Sequence, residues 1–227
     1  IGLMSLAFLV DAIRKKVFAK WLKASCCFAI GGILGVCINL SNLYHTWEYS
    51  KESMRSKSEL TQKTKDPADQ TDSGLERSYI TMWSYGIGET WTLLVPNTKG
   101  GASQLLADNE TAMKHADQTF APLYRAFTQY WGEQPGTSGP VYVGAFVLML
   151  FWLGFFVVKG PMKWCLLAAT ALSIMLSWGK NFMGLTDFFL DYIPMYDKFR
   201  TVASILVIAE FTIPMLAMLA LKKVIED

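Results

Sequence analysis

The sequence predicts an all-α fold of polytopic transmembrane helices with a long extracytoplasmic insert, and three observations predict it. Residues 24–43, 141–158, 162–178 and 201–221 are apolar runs close to the roughly 20 residues with which a helix crosses a bilayer core. Basic residues gather beside them: Arg14, Lys15, Lys16, Lys20 and Lys23 before the first run, Lys159 and Lys163 between the second and third, and Lys222 and Lys223 after the last. The positive-inside rule places all three clusters on the cytoplasmic side, and the polar stretch between the first and second runs outside.

In chain order, residues 1–10 (IGLMSLAFLV) make half a span, so the chain is expected to be a fragment whose upstream part completes this helix. A basic loop and the span 24–43 follow, with Gly31, Gly32 and Gly35 allowing close helix contact. Tyr44, His45, Trp47 and Tyr49 suit an interfacial belt, and Glu48, Lys51, Glu52 and Arg55 at helical spacing suggest that the helix continues beyond it. The insert 44–139 opens with a polar stretch, 57–78, that reads as solvated, and order is expected from Tyr79. Residues 103–118 read as a polar helix. Phe120, Leu123, Tyr124, Phe127, Tyr130 and Trp131 recur at the spacing of an amphipathic helix. Residues 132–140, GEQPGTSGP, end it with turn residues, and 140–227 form three spans joined by a basic hairpin and an extracytoplasmic connector, 180–200.

Composition narrows the function. The chain is 52 % hydrophobic with a mean hydropathy of +0.26, and its net charge of +2 is too small to imply a nucleic-acid partner. Cys26, Cys27, Cys37 and Cys165 all lie in apolar segments and form no CxxC, and two histidines do not make a histidine-rich metal site.

The connector carries more chemistry than a turn needs: Asp187, Asp191 and Asp197 with Lys180, Lys198, Arg200 and several aromatic rings, Tyr196 among them. One reading gives Lys198 and Arg200 a lipid-linked phosphate, with Asp187 or Asp197 orienting a hydroxyl or acting as base. The other makes the charges helix-end anchors, with Asp187 or Asp191 as a cap. Glu89 is the second candidate acid, set among glycines and aromatic rings in residues 85–91, YGIGETW, where a sugar could be approached closely; capping a helix that begins near Thr90 is its structural alternative. Asn97, Lys99, Gly100 and Gly101 resemble a loose anion loop without the Walker spacing. Glu210, four residues before Pro214 inside the last span, is the starting point for a transporter reading.

Residues 84–101 (SYGIGETWTLLVPNTKGG), 129–145 (QYWGEQPGTSGPVYVGA) and 176–211 (LSWGKNFMGLTDFFLDYIPMYDKFRTVASILVIAEF) resemble the YfhO-type bacterial membrane proteins in their Bacteroidetes form. These are similar to membrane glycosyltransferases of the GT-C class. The resemblance implies sugar transfer from a polyprenyl-phosphate donor to a cell-envelope glycan or polymer acceptor, at the outer face of the bacterial inner membrane, in contact with membrane lipid. It allows a divalent metal, for which no ligand set is identifiable here, and it puts the main catalytic acid upstream of Ile1. Glu89 and residues 196–200 fall in family-like strings; the roles, Glu89 and Asp187 as acids and Tyr196, Asp197, Lys198 and Arg200 as substrate contacts, are read from the residues' own chemistry and not carried over from the family. A transporter of a lipid-linked substrate and a non-catalytic envelope scaffold are the alternatives.

Overall fold

The computed structural model describes residues 2–51, 75–194 and 196–226. Three helices open the chain: α1 (Gly2–Arg14), α2 (Phe18–Ile38) and α3 (Leu40–Lys51). Lys16, at φ 56, turns the chain between α1 and α2. Four one-turn or short elements follow, α4 (Arg77–Ile80), α5 (Glu110–Met113), α6 (Ala121–Tyr124) and a two-stranded antiparallel sheet of β1 (Gly100–Leu105) and β2 (Thr128–Tyr130). The apolar helices are α7 (Ala145–Val157), α8 (Pro161–Ser177) and α10 (Val207–Glu226), with α9 (Met183–Tyr192) in the connector.

The core is built on α10. Ala209, Ile213, Leu216, Ala217 and Ala220 recur at helical spacing and are at most 2 % exposed, so one stripe of the helix is closed by α7 and α8. Gly154 on α7 permits this approach, since a Cβ there would stand 3.0 Å from Leu216 Cγ. Hydroxyls fix the contact with α8: Thr170 and Thr212 share a hydrogen bond at 2.7 Å, Ser173 Oγ donates to the Ile205 carbonyl at 2.7 Å, and the Ala209 amide donates to Ser173 Oγ at 3.2 Å. Tyr85 and Leu93, from the polar part of the chain, are buried in the same cluster as Phe151, Leu166 and Leu206. The polar insert and the apolar helices therefore share one core. The N-terminal helix α1 packs along α8.

This packing overturns the polytopic transmembrane bundle. Against the four complete crossings expected, two helical stretches among the described residues, Phe18–Ile38 and Val202–Glu226, are long and apolar enough to cross a membrane. A third exists only if α8 and the segment Gly179–Tyr192 count as one span, and these meet at a bend of 111°. The apolar run 141–158 fails for a local reason. Gly144 at φ 105 delays the helix start, Val158 is already extended, and Val141 and Val143 pack on the core instead of prolonging the helix. What remains is 13 residues, about 20 Å at 1.5 Å per residue, against a hydrocarbon core of about 30 Å. The multi-pass inner-membrane location falls with the bundle. So does the GT-C-type catalytic platform, and with it the transferase, transporter and scaffold readings built on that topology.

Two helix expectations in the insert are also corrected. The helices expected over 103–118 and 120–131 are reduced to single helical turns, α5 and α6 among them, and at 103–105 and 128–130 β1 and β2 pair with an irregular register, Gly100 opposite Tyr130 and Leu105 opposite Thr128. Long-range bonds outweigh the local periodicity here. The Leu106 amide donates to the Phe127 carbonyl at 2.9 Å, and the Gln129 side chain bridges from the Leu105 carbonyl at 3.2 Å to Asn109 at 3.2 Å. The solvated reading of 57–78 lies outside the described residues as far as 74; from Leu75, 7 % exposed, the chain is packed.

Candidate functional site

The segment 81–93 is welded to the chain around 177–186. The Tyr85 amide donates to the Ser177 carbonyl at 2.8 Å, Ser84 Oγ accepts from the Lys180 amide at 2.9 Å, and Asn181 Nδ2 donates to the Tyr85 carbonyl at 3.1 Å. Gly179, at φ 45, is the closest approach: a Cβ would stand 2.2 Å from Ser84 Oγ. Trp178 Nε1 donates to Thr90 Oγ1 at 2.9 Å, and the Ala203 amide donates to the Trp83 carbonyl at 3.0 Å. Asn181 also donates to Glu133 Oε2 at 2.8 Å.

These contacts bring the three strings 84–101, 129–145 and 176–211 around one cavity of about 180 Å³. Its wall holds Glu89, Tyr85, Thr92, Lys99, Tyr130, Gln134, Thr137 and Ser204, with Val141 and Leu206 as apolar surface. Glu89 is 2 % exposed and sits at the third position of a 3-10 turn, Ile87–Leu93. Its Oε2 accepts from the Gly86 amide at 2.6 Å, and its Oε1 accepts a short hydrogen bond from the Tyr130 hydroxyl. Each carboxylate oxygen keeps a further lone pair for a ligand. Burial, reinforced by the bond to Glu89, pushes the Tyr130 hydroxyl well above its ordinary titration range, so it stays a donor. Tyr85 is pushed the same way, first by its own burial. Gly132 is required here: a Cβ would fall 1.6 Å from Glu89 Oε1. The capping alternative for Glu89 is thus met, with the turn beginning at Ile87 and not near Thr90.

The connector residues divide between two places. Asp187 and Asp191, one turn apart on α9, grip Arg77 of α4: Nη1 to Asp187 at 2.6 Å and Nη2 to Asp191 at 2.7 Å. The hydrogen bond and charge of Asp191, then of Asp187, raise the Arg77 pKa above its already high value. Asp187 is therefore committed to tying the connector to α4 and does not share the Glu89 cavity. Replacing Arg77 with alanine is expected to cost about 1 kcal/mol in urea unfolding, shrinking as salt is raised, since both carboxylates are about half exposed. Sequence reasoning missed Arg77; two aspartates at i and i+4 on one helix face were the signal that a cation had to be supplied.

Arg200 is exposed and donates through Nη1 to the Tyr79 hydroxyl at 2.8 Å, with its guanidinium 5.7 Å from the Tyr79 ring centroid and 5.1 Å from that of Trp83. It lines a recess of about 270 Å³ with Tyr196, Phe199, Thr201, Val202, Ser204 and the start of α10. The Tyr196 ring lies 5.5 Å from that of Phe189, tilted by 60°, and its buried hydroxyl has no hydrogen-bond partner among the described residues. Burial raises its pKa. Asp197 and Lys198 are half-buried in the adjoining 3-10 turn, Tyr196–Lys198. Thr201, at φ 72, and Ser204 line both this recess and the Glu89 cavity. Glu210 is exposed in the first turn of α10, where an acid favours the positive end of the helix.

Among the described residues no group of three His, Cys, Asp or Glu side chains could hold a metal ion. No protein-family model, curated protein or solved structure matches this chain.

Proposed function

We propose that this chain is a binding unit for a saccharide carried on a phosphate-linked apolar chain. One observation carries the reading. A hydroxyl-rich cavity holding a buried carboxylate and a recess holding an arginine among apolar side chains adjoin through Thr201 and Ser204. Sugars offer hydroxyl rims that a carboxylate, threonines and an amide can hydrogen-bond. Arg200, held by Tyr79 and lying over the Trp83 ring, is a preorganised donor for a phosphate oxygen, with Tyr196, Asp197 and Lys198 beside it. Phe199, Val207 and Ile208 supply apolar surface for the first isoprene units of a chain. The likeness to YfhO-type proteins supports the same ligand class, a polyprenyl-phosphate sugar, with envelope glycans sharing its saccharide end.

Binding is what is proposed, since both candidate acids are engaged by protein donors: Glu89 by Gly86 and Tyr130, Asp187 by Arg77. The test is titration of the whole chain, followed by tryptophan fluorescence, with a short prenyl-phosphate hexose and with the free hexose. Both are expected to bind, the prenyl compound more tightly. Arg200→Ala is expected to lower affinity for the prenyl compound about tenfold, the loss of one charge-assisted contact, and to leave the free hexose unaffected. No binding of either compound would remove the proposal.

A further inference from the structure

Lys99 is the cavity group that the hydroxyl chemistry leaves unused. It sits in a turn closed by the Gly100 amide donating to the Asn97 carbonyl at 2.9 Å, with Asn97 at φ 59 and Gly100 at φ 83. The Lys99 carbonyl accepts from the Trp131 amide at 2.8 Å, so the residue is pinned on both sides of its side chain. That side chain runs over Gly88, where a Cβ would stand 3.4 Å from Lys99 Cε and 3.7 Å from Nζ. The 97–101 stretch closes as a turn at the start of β1. It is a hairpin entry that places Lys99 in the wall of the Glu89 cavity.

That ammonium has no carboxylate within ion-pair distance among the described residues. Glu89, the acid of the same cavity lining, already has a donor on each oxygen, Gly86 and Tyr130. A half-buried lysine with no ion pair among the described residues, beside hydrogen-bonding hydroxyls, is complementary to a ligand that brings both hydroxyls and a negative charge. The small volume, about 180 Å³, favours a compact anion attached directly to the sugar ring.

We infer that the saccharide held in the Glu89 cavity is a sugar acid, a uronate whose ring carboxylate pairs with Lys99 while its hydroxyls meet Glu89, Gln134 and Thr137. The inference rests on the cavity being a saccharide site and specifies which saccharide it takes.

The experiment compares methyl glucuronide, methyl glucoside and glucose 6-phosphate on the wild-type chain and on Lys99→Met and Lys99→Arg. The expected result is at least tenfold tighter binding of the glucuronide than of the glucoside. Lys99→Met should abolish that preference, lowering glucuronide affinity at least tenfold more than glucoside affinity, and Lys99→Arg should keep most of it. Equal binding of glucuronide and glucoside, or a preference that survives Lys99→Met, overturns the inference and leaves the saccharide site standing. Tighter binding of glucose 6-phosphate than of the glucuronide overturns the carboxylate assignment. Failure of all three ligands, together with failure of the prenyl-phosphate hexose, overturns the site itself and this inference with it.

Discussion

Replacing Glu89 with alanine is expected to destabilise the fold by about 3 kcal/mol and to abolish saccharide binding. The carboxylate is 2 % exposed, and its removal strands two donors, the Gly86 amide and the Tyr130 hydroxyl, in a place that water does not reach freely. Each orphaned buried donor costs roughly 1–3 kcal/mol, and the bonds lost are to a charged acceptor. Glu89→Gln separates the two consequences. It keeps one acceptor oxygen and the shape of the side chain, so it should cost about half as much stability while still removing the anionic acceptor from the cavity. Urea unfolding and ligand titration on the same two variants check this. A Glu89→Ala chain as stable as the parent would mean that the carboxylate is not the keystone of the 86–93 turn.

Gly100→Ala is expected to have an effect of similar size by a different route. The residue holds φ 83, where a side chain costs about 1–2 kcal/mol, and a Cβ would stand 1.8 Å from the Gln129 carbonyl oxygen, a backbone atom that cannot rotate away. With the clash added, a loss of about 3 kcal/mol follows, and β1 and β2 must separate at the Gly100–Tyr130 pair. Tyr130 then leaves Glu89, and Lys99 loses its fixed position. Hydrogen exchange at residues 100–105 and 128–131 should rise selectively, with the α7–α8–α10 core still protected. An unchanged exchange pattern would show that the hairpin does not depend on this glycine.

The sequence carried the helices better than it carried their arrangement. Apolar runs at 145–157, 161–177 and 207–226 did become helices, because side-chain burial on a helical period is written locally in Ile213, Leu216, Ala217 and Ala220. Whether a run spans or packs was not written locally. It was decided by Gly144 and Gly160, at φ 105 and 103, which shorten and redirect the chain, and by Tyr85 and Leu93 reaching into the core from far away in sequence. The aromatic rhythm at 120–131 was misleading, since Phe120, Leu123, Phe127 and Trp131 remain at least 49 % exposed and so cover no core. At the site, Glu89 could be found because an acid among glycines and rings is unusual. Tyr130, its donor, was hidden as one ring in an apparent helix stripe, and Arg77 as one charge at the end of a polar stretch. Both act through partners more than 40 residues away, beyond the reach of any spacing rule.

The hydroxyl contacts between α8 and α10 have a consequence for how the binding region can move. Thr170 with Thr212, and Ser173 with the Ile205 carbonyl and the Ala209 amide, act as index pins between two otherwise smooth apolar rods. Sliding α10 by a single turn would displace it about 5.4 Å and pull every pin at once. Thr201 and Ser204, at the head of that rod, therefore keep a constant setting relative to Tyr85 and Trp178. Adjustment to an incoming molecule is left to the hairpin side of the pocket, where the strand pair is short and its register uneven.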